Sequence, residues 1–324
     1  MSKYIKGSVG MNYKVYKMKF HTAVHFGNGK LTSSDYVLHA DTIFSALCIE
    51  ALKIGGEGYL NELVGLTKNN QIRISDALPF IEDTLYMPKP MLQIQKEETG
   101  NSIIKKAYKK LKYIPIEALD IYLQGDLMPE EENNKLKKIG RKKLLTKAAV
   151  CYNEEADPYG VELFQFGDDS GLYIIIGYEE QKQLFMLEEL IDCLSYTGVG
   201  GKISAGYGKF SLHTISEKKI PKGLFERLNK EGMKRQITLS VSMAKDEELE
   251  IVLNQAQYML LKRSGYIQSA AYAETQLKKK DFFMFEAGSC FLQLFEGDVF
   301  DVSHEGRHPV YRYAKPMFIG VSDE

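Results

Sequence analysis

Apolar residues along the chain keep two different periods, and the points where one gives way to the other outline the fold. Tyr16, Met18 and Phe20 alternate with Lys17, Lys19 and His21, the period of two that sets one face of a strand against a core. After a polar loop the spacing lengthens. Ile43, Phe44, Leu47, Cys48, Ala51 and Leu52 recur at helical intervals behind Asp41, a residue type suited to capping, and Gly55-Gly56 predicts the helix end. Extended pieces follow at Ile72, Ile74 and Leu85-Tyr86-Met87, and Pro88-Lys89-Pro90 breaks any continuing ladder. Val161 to Phe166, the turn residues 167–171 and Leu172 to Ile176 predict a β-hairpin. Leu184, Leu187, Leu190, Ile191 and Leu194 mark one face of a second long helix, after which Ser211 to Ile215 is again strand-like.

The order strand, helix, hairpin, helix, strand is that of a βαββαβ unit, and it spans residues 1–215. An insertion at about 88–147 is Lys-rich, carries Glu130-Glu131-Glu132 and has no sustained apolar face, so it is expected to hold little core of its own. Residues 216–235 are charged and read as a linker with a short helix. Alternation returns at Ile237, Leu239, Val241 and Met243, opening a second unit over 236–324. A helix is expected there at 246–260, with strands near 282–286, 290–295 and 310–319. The fold class expected is α+β: two ferredoxin-like (RRM-like) domains, the first interrupted by a thumb-like insertion.

With 324 residues, 44% hydrophobic and 26% charged, the chain can fill two ordinary cores. Residues 1–7 lack the apolar stretch of a secretory signal, and no run approaches the roughly 18 apolar residues of a membrane span, so a cytoplasmic protein without a membrane partner is expected. Cys48, Cys151, Cys193 and Cys290 lie far apart with no C-x-x-C pair and read as reduced thiols. A net charge of −1 excludes a globally basic polyanion binder, so nucleic-acid binding must rest on local charge. Local charge exists: Lys105, Lys106, Lys109, Lys110 and Lys112 interleave with Tyr108 and Tyr113, and a second cluster runs from Lys135 to Lys147.

Five glycines within eleven residues, Gly198, Gly200, Gly201, Gly206 and Gly208, with Lys202 and Lys209 among them, form the most informative local feature. Such a backbone can approach a phosphate closely and turn its N–H groups toward it. The loop lacks G-x-x-x-x-G-K-[ST] spacing, and it leaves a helix to enter a strand, the reverse of a P-loop, which argues against a nucleoside triphosphatase. Gly27-Asn28-Gly29-Lys30 also fails that spacing.

These features together resemble the RAMP superfamily of CRISPR proteins, ferredoxin-like RNA binders with a glycine-rich loop between the last helix and last strand of a domain. The resemblance is carried by residues 39–47, Pro88-Lys89-Pro90, the loop 198–210, Lys262-Arg263-Ser264-Gly265-Tyr266, Ala287-Gly288-Ser289 and residues 308–313. It is strongest toward the fourth subunit of the type III-A (Csm) effector complex. The resemblance implies a non-catalytic subunit without cofactors, which grips the 5′ repeat-derived handle of a crRNA at the foot of that complex. It implies contacts with the large multidomain subunit and the adjacent backbone RAMP subunit, with target RNA reached through the complex, and a thumb-like hairpin in the insertion. Where family members often have Gly after the Tyr-Arg-Tyr element, this chain has Ala314.

A single strand can be held by amides and cations on phosphates and by rings under bases. Candidate RNA contacts are Lys202, Ser204, Tyr207 and Lys209 within the glycine loop, and Arg263, Ser264, Gly265 and Tyr266 in the second unit. His25, Gly27, His39 and Asp41 flank the first long loop, and Lys89, Lys105, Lys106, Lys109 and Lys147 belong to the insertion. For Asp41 a plain N-cap is an equal alternative, and for Tyr207 core packing is. Two rivals compete. An endoribonuclease would use His21, His25 or His39 as acid or base, or Asp35 in the loop after the first strand. A scaffold would bind proteins alone. His304-x-x-x-His308 has helical spacing, but Gly306 and Pro309 spoil a helix, which argues against a zinc site.

Overall fold

Strand β1 (Asn12–Phe20) forms where the chain alternates, and the rest of a sheet assembles on it through pairings distant in sequence. The chain continues through α1 (Ala40–Lys68), β2 (Ile72–Ile74), β3 (Leu78–Ile81), β4 (Thr84–Pro88), α2 (Ser102–Lys110) and β5 (Tyr113–Pro115). A hairpin of β6 (Gly140–Ala149) and β7 (Asp157–Phe166) precedes β8 (Ser170–Tyr178), α3 (Gln181–Thr197) and β9 (Phe210–Thr214). This computed structural model describes residues 10–27, 29–92, 102–149, 157–229, 232–269, 271–304 and 306–322; Cys151 lies outside them. Strand β1 lies between β9 and β8, and β8 pairs in turn with β2 and β3, all antiparallel. The order β9, β1, β8, β2 is that of a βαββαβ unit.

Both faces of this sheet are covered. Tyr16, Met18, Leu172, Ile174 and Ile176 pack on α1 and α3 through Phe44, Leu47, Leu187 and Leu190. The opposite positions, Val15, Tyr173 and Ile175, pack in a second cluster with Ile237, Leu239, Ile319 and Val321 from the C-terminal half. That is why Leu172 to Ile176 is apolar without alternation: a strand buried on both sides needs no polar face.

The C-terminal half contains β10 (Arg235–Thr238), α4 (Asp246–Val252), β11 (Leu260–Arg263), β12 (Phe282–Phe285), β13 (Cys290–Phe291), β14 (Val299–Asp301), β15 (Tyr311–Tyr313) and β16 (Phe318–Ser322). Strand β10 lies between β13 and β16, while β11–β12 and β14–β15 are two-stranded ribbons.

Several expectations are corrected. Strands β7 and β8 follow one another but do not pair: β7 pairs with β6 over ten positions, and β8 enters the sheet. The projecting hairpin therefore runs past residue 147 to Phe166. The insertion is not poor in core, since Leu111, Ile114, Leu119, Tyr122, Leu127 and Leu136 are buried in the second cluster. The linker contributes Leu224 and Leu228 to the same cluster. Gly55-Gly56 interrupts α1 at Gly56 (φ 66°) and the helix resumes to Lys68. The helix expected at 246–260 ends at Val252, and the strand expected at 310–319 is two strands. Cys48 and Cys290 are buried free thiols, and Cys193 is a half-buried one. No helix among the described residues is long and apolar enough to cross a membrane.

Candidate nucleic-acid interface

A cleft of about 1970 Å³ is lined by residues of both halves. One bank is made by the first loop near His25, the start of α1, residues 88–92 and the beginning of the glycine-rich turn. The other is made by residues 256–269, 276–281 and 308–312. Because the sheet's second face is closed, bases cannot stack on it in the manner of an RRM.

The glycine-rich turn is tightly folded. The amides of Gly198, Val199, Gly201, Gly206 and Gly208 donate to Leu194, Gly208, His25, Ile203 and Ala23 carbonyls, at 2.8–3.0 Å. The expectation that this loop presents a bare run of amides is therefore corrected; those of Gly200, Lys202, Ile203, Ser204 and Tyr207 carry no internal bond. Its glycines answer to close packing. A Cβ on Gly208 (φ 80°) would lie 2.2 Å from the Val199 carbonyl oxygen, and one on Gly200 (φ 97°) 2.8 Å from the Phe26 ring. Gly198 and Gly208 are buried, and Gly198 borders the cleft. Ser204 and Lys209 are exposed, and Lys202 and Tyr207 are half-buried.

The turn meets the β6–β7 hairpin through two reciprocal cation–ring contacts. Lys147 Nζ stands 4.9 Å from the Tyr207 ring centre, and Lys202 Nζ 5.4 Å from that of Tyr159. Tyr159 was not anticipated, and nothing in its local sequence distinguishes it.

His25 is 7% exposed and its Nδ1–H donates to the Glu162 carbonyl at 2.7 Å, so it braces the hairpin against the loop and is corrected as an RNA contact. Its ring lies where a side chain on Gly27 or Gly201 would go. Asp35 accepts from the Tyr36 amide and faces Lys112 at 3.7 Å.

Helix α1 begins at Ala40, and its cap comes from elsewhere. The buried Asp76 carboxylate accepts from the Ala40 amide (2.8 Å), the Val241 amide (2.9 Å) and His39 Nδ1 (2.7 Å), joining three segments of the chain. Asp41, one residue further on, is neither cap nor RNA contact. It receives Arg263 Nε and Nη2 at 2.9 and 2.8 Å, together with Arg312 Nη1. Burial pushes the Asp41 carboxyl up, but the two guanidinium groups outweigh it and hold it well below the usual carboxylate range. Arg263 thus spends Nε and Nη2 on Asp41 and Thr42, while it remains on the cleft wall.

Lys89 lines the cleft half-buried; its ammonium donates to the Tyr108 carbonyl at 2.7 Å, and burial lowers its pKa. Lys109 borders the cleft; Lys105 and Lys106 are exposed on α2 away from it. Ser264, Gly265 and Tyr266 line the opposite bank, where the Tyr266 residue is 54% exposed and its ring has Lys278 Nζ 5.6 Å from its centre. Lys279 and Arg312 line it too; Arg312 belongs to the element that carried the resemblance, while Lys279 stands in a run of three lysines with no distinguishing signal. His308 uses both ring nitrogens locally, on Pro309 and Ser269 at 2.8 Å, and among the described residues no group of His, Cys, Asp or Glu is gathered to hold a metal.

Comparison with known proteins places these features. The RAMP superfamily profile matches residues 17–211, and the CRISPR Csm4 C-terminal domain profile matches residues 231–321. The CRISPR system Cms protein Csm4 of Mycobacterium tuberculosis (strain CDC 1551 / Oshkosh) is 36% identical over 97% of this chain and 99% of its own. That of Streptococcus thermophilus is 33% identical over 95% and 98%. Among solved structures, a Csm3–Csm4 subcomplex of a type III-A interference complex gives a TM-score of 0.66 at 19% identity, covering 95% of this chain and 99% of the other. A Csm1–Csm4 cassette with cA4 gives 0.61 at 18%, covering 96% and 98%.

Proposed function

The chain belongs to the RAMP superfamily and, within it, to the Csm4 family, and from that membership we propose that it is a non-catalytic crRNA-binding subunit of a type III-A CRISPR (Csm) complex. In this reading it works in the cytoplasm, holds the 5′ repeat-derived handle in the cleft and anchors the large subunit and the adjacent backbone subunit at the foot of the complex. Each half supplies one bank, and target RNA is met through the assembly. The observation that carries the reading is a cleft with cations and an exposed ring on its walls, beside a sheet with no free face. Lys109, Lys202 and Lys279 would meet phosphates and Tyr266 would stack under a base. The non-catalytic part of the reading rests on the family resemblance, and among the candidate acids and bases His25 Nδ1 is bonded to the Glu162 carbonyl, His39 to Asp76 and Asp35 to the Tyr36 amide, while His21 is exposed.

The test is binding of a labelled 5′-handle RNA to the full chain, titrated from 50 to 200 mM salt. A linear fall of log affinity with log salt is expected. Absence of retained RNA overturns the reading in favour of a protein-only scaffold. RNA cleavage that His25→Ala or Asp35→Asn abolishes would overturn the non-catalytic part.

A further inference from the structure

The bank built by the C-terminal half has a lopsided charge. Arg263, Arg312 and Lys279 gather around Asp41, and the next carboxylate, Asp76, is already occupied by His39 and two amides. Asp41 offers two oxygens, and Arg263 and one nitrogen of Arg312 take both. Arg312 is 5% exposed, and its Nε and Nη2 have no protein partner. A buried guanidinium with two unbonded nitrogens lacks an acceptor, since guanidinium carries five N–H donors and leaving them bare costs desolvation. Lys279 is half-buried on the same wall, and among the described residues its ammonium's one hydrogen bond is to Ser45 Oγ at a weak 3.4 Å. Its backbone is fixed, because its amide donates to the Gly265 carbonyl at 2.8 Å, and so its ammonium is held at the cleft wall.

We infer that Lys279 and Ser45, backed by the unbonded edge of Arg312, form an anion subsite that takes a phosphodiester group of the strand lying in the cleft. This rests on the RNA-binding reading and adds to it a named position on the bank opposite the glycine-rich turn. The phosphate supplies the negative charge that the cluster lacks, with Lys279 and Ser45 touching it and Arg312 acting through its field from just beneath the surface.

Protonation supports the same geometry. Burial first, and then Arg312, bring the Lys279 ammonium down to about 8. Its titratable and charged neighbours are Asp41 and Cys48 on α1, Arg263 on β11 and Arg312 on β15. Asp41 stays ionised, and the Cys48 thiol, pushed up to about 12 by burial, stays neutral, so Lys279 alone in this group changes charge between pH 7 and 9. A bound phosphate favours the ammonium form. Affinity is therefore full below pH 8 and falls above it.

The experiment measures single-stranded RNA binding to the full chain for wild type, Lys279→Met and Lys279→Arg, across salt and from pH 7 to 9. Lys279→Met is expected to weaken binding about three- to tenfold and to lower the salt slope by about 0.7, the share of one phosphate on a single strand. Its melting temperature should not move. Lys279→Arg is expected to keep affinity and slope and to lose the pH step. Wild-type binding matched in affinity and slope by Lys279→Met sinks the subsite and leaves the RNA reading intact. Should wild type retain no RNA, the RNA reading fails first, and calorimetry with inorganic phosphate then decides the subsite: heat lost in Lys279→Met upholds it, equal heat overturns it.

Discussion

The two banks of the cleft solve opposite problems. The glycine-rich turn is crowded: most of its amides are bonded within the protein, and at Gly200, Gly201 and Gly208 the neighbours Phe26, His25 and Val199 leave no room for a side chain. The facing bank is uncrowded at the level of hydrogen bonding, with an exposed Tyr266, a weakly held Lys279 and an Arg312 that has unbonded nitrogens. A glycine-rich sequence is thus a sign of close packing as readily as of ligand approach. The capacity to bind is better read from donors without partners.

The comparison can be broken most severely at Asp41. Asp41→Ala strands two buried guanidinium groups and should cost about 3–5 kcal/mol in urea unfolding. The same carboxyl carries a pH signature. Its folded pKa is depressed, so its stabilisation is complete at neutral pH and is lost as pH falls from about 4 toward its folded value; the melting temperature of wild type should drop further below pH 4 than that of Asp41→Asn. Next in size, Gly208→Ala pushes a Cβ into the Val199 carbonyl and should cost about 1–3 kcal/mol, whereas Gly206→Ala, with open space around it, should cost less and leave RNA affinity unchanged. If both variants bind RNA normally once folded, the glycines of the turn serve packing and only its side chains are left to meet RNA. On the other bank, Tyr266→Ala should weaken RNA binding about tenfold and Tyr266→Phe hardly at all, checked by fluorescence anisotropy. Smallest of all, Lys202→Met should lower affinity about threefold and flatten the salt slope, with no change in melting temperature.

Much of the first unit was legible because its signals are local. The alternation in β1, the apolar stripe of α3 and the position of the glycine-rich turn all follow from periods of two and 3.6 within a single element. The pairing of β7 was not legible, since the turn at Gly167 looks the same whether the flanking strands join or part. Nor was the core of the insertion: Ile114, Leu119, Tyr122 and Leu136 sit on elements too short to establish a period. The partners of Asp41 lie 222 and 271 residues away, and no local pattern announces a contact of that span. Local propensity made Asp41 look like a cap, while the cap arrived from Asp76 on a neighbouring loop.

The three-way grip of Asp76 also fixes a dimension. One carboxylate ties the head of α1, through Ala40 and His39, to Val241 of the other half, and Asp41 repeats the tie one residue along. The banks are thereby riveted at their root and cannot swing apart without breaking bonds at both rivets. The spacing between the banks is therefore set by two buried carboxylates and not by the loops that line the groove.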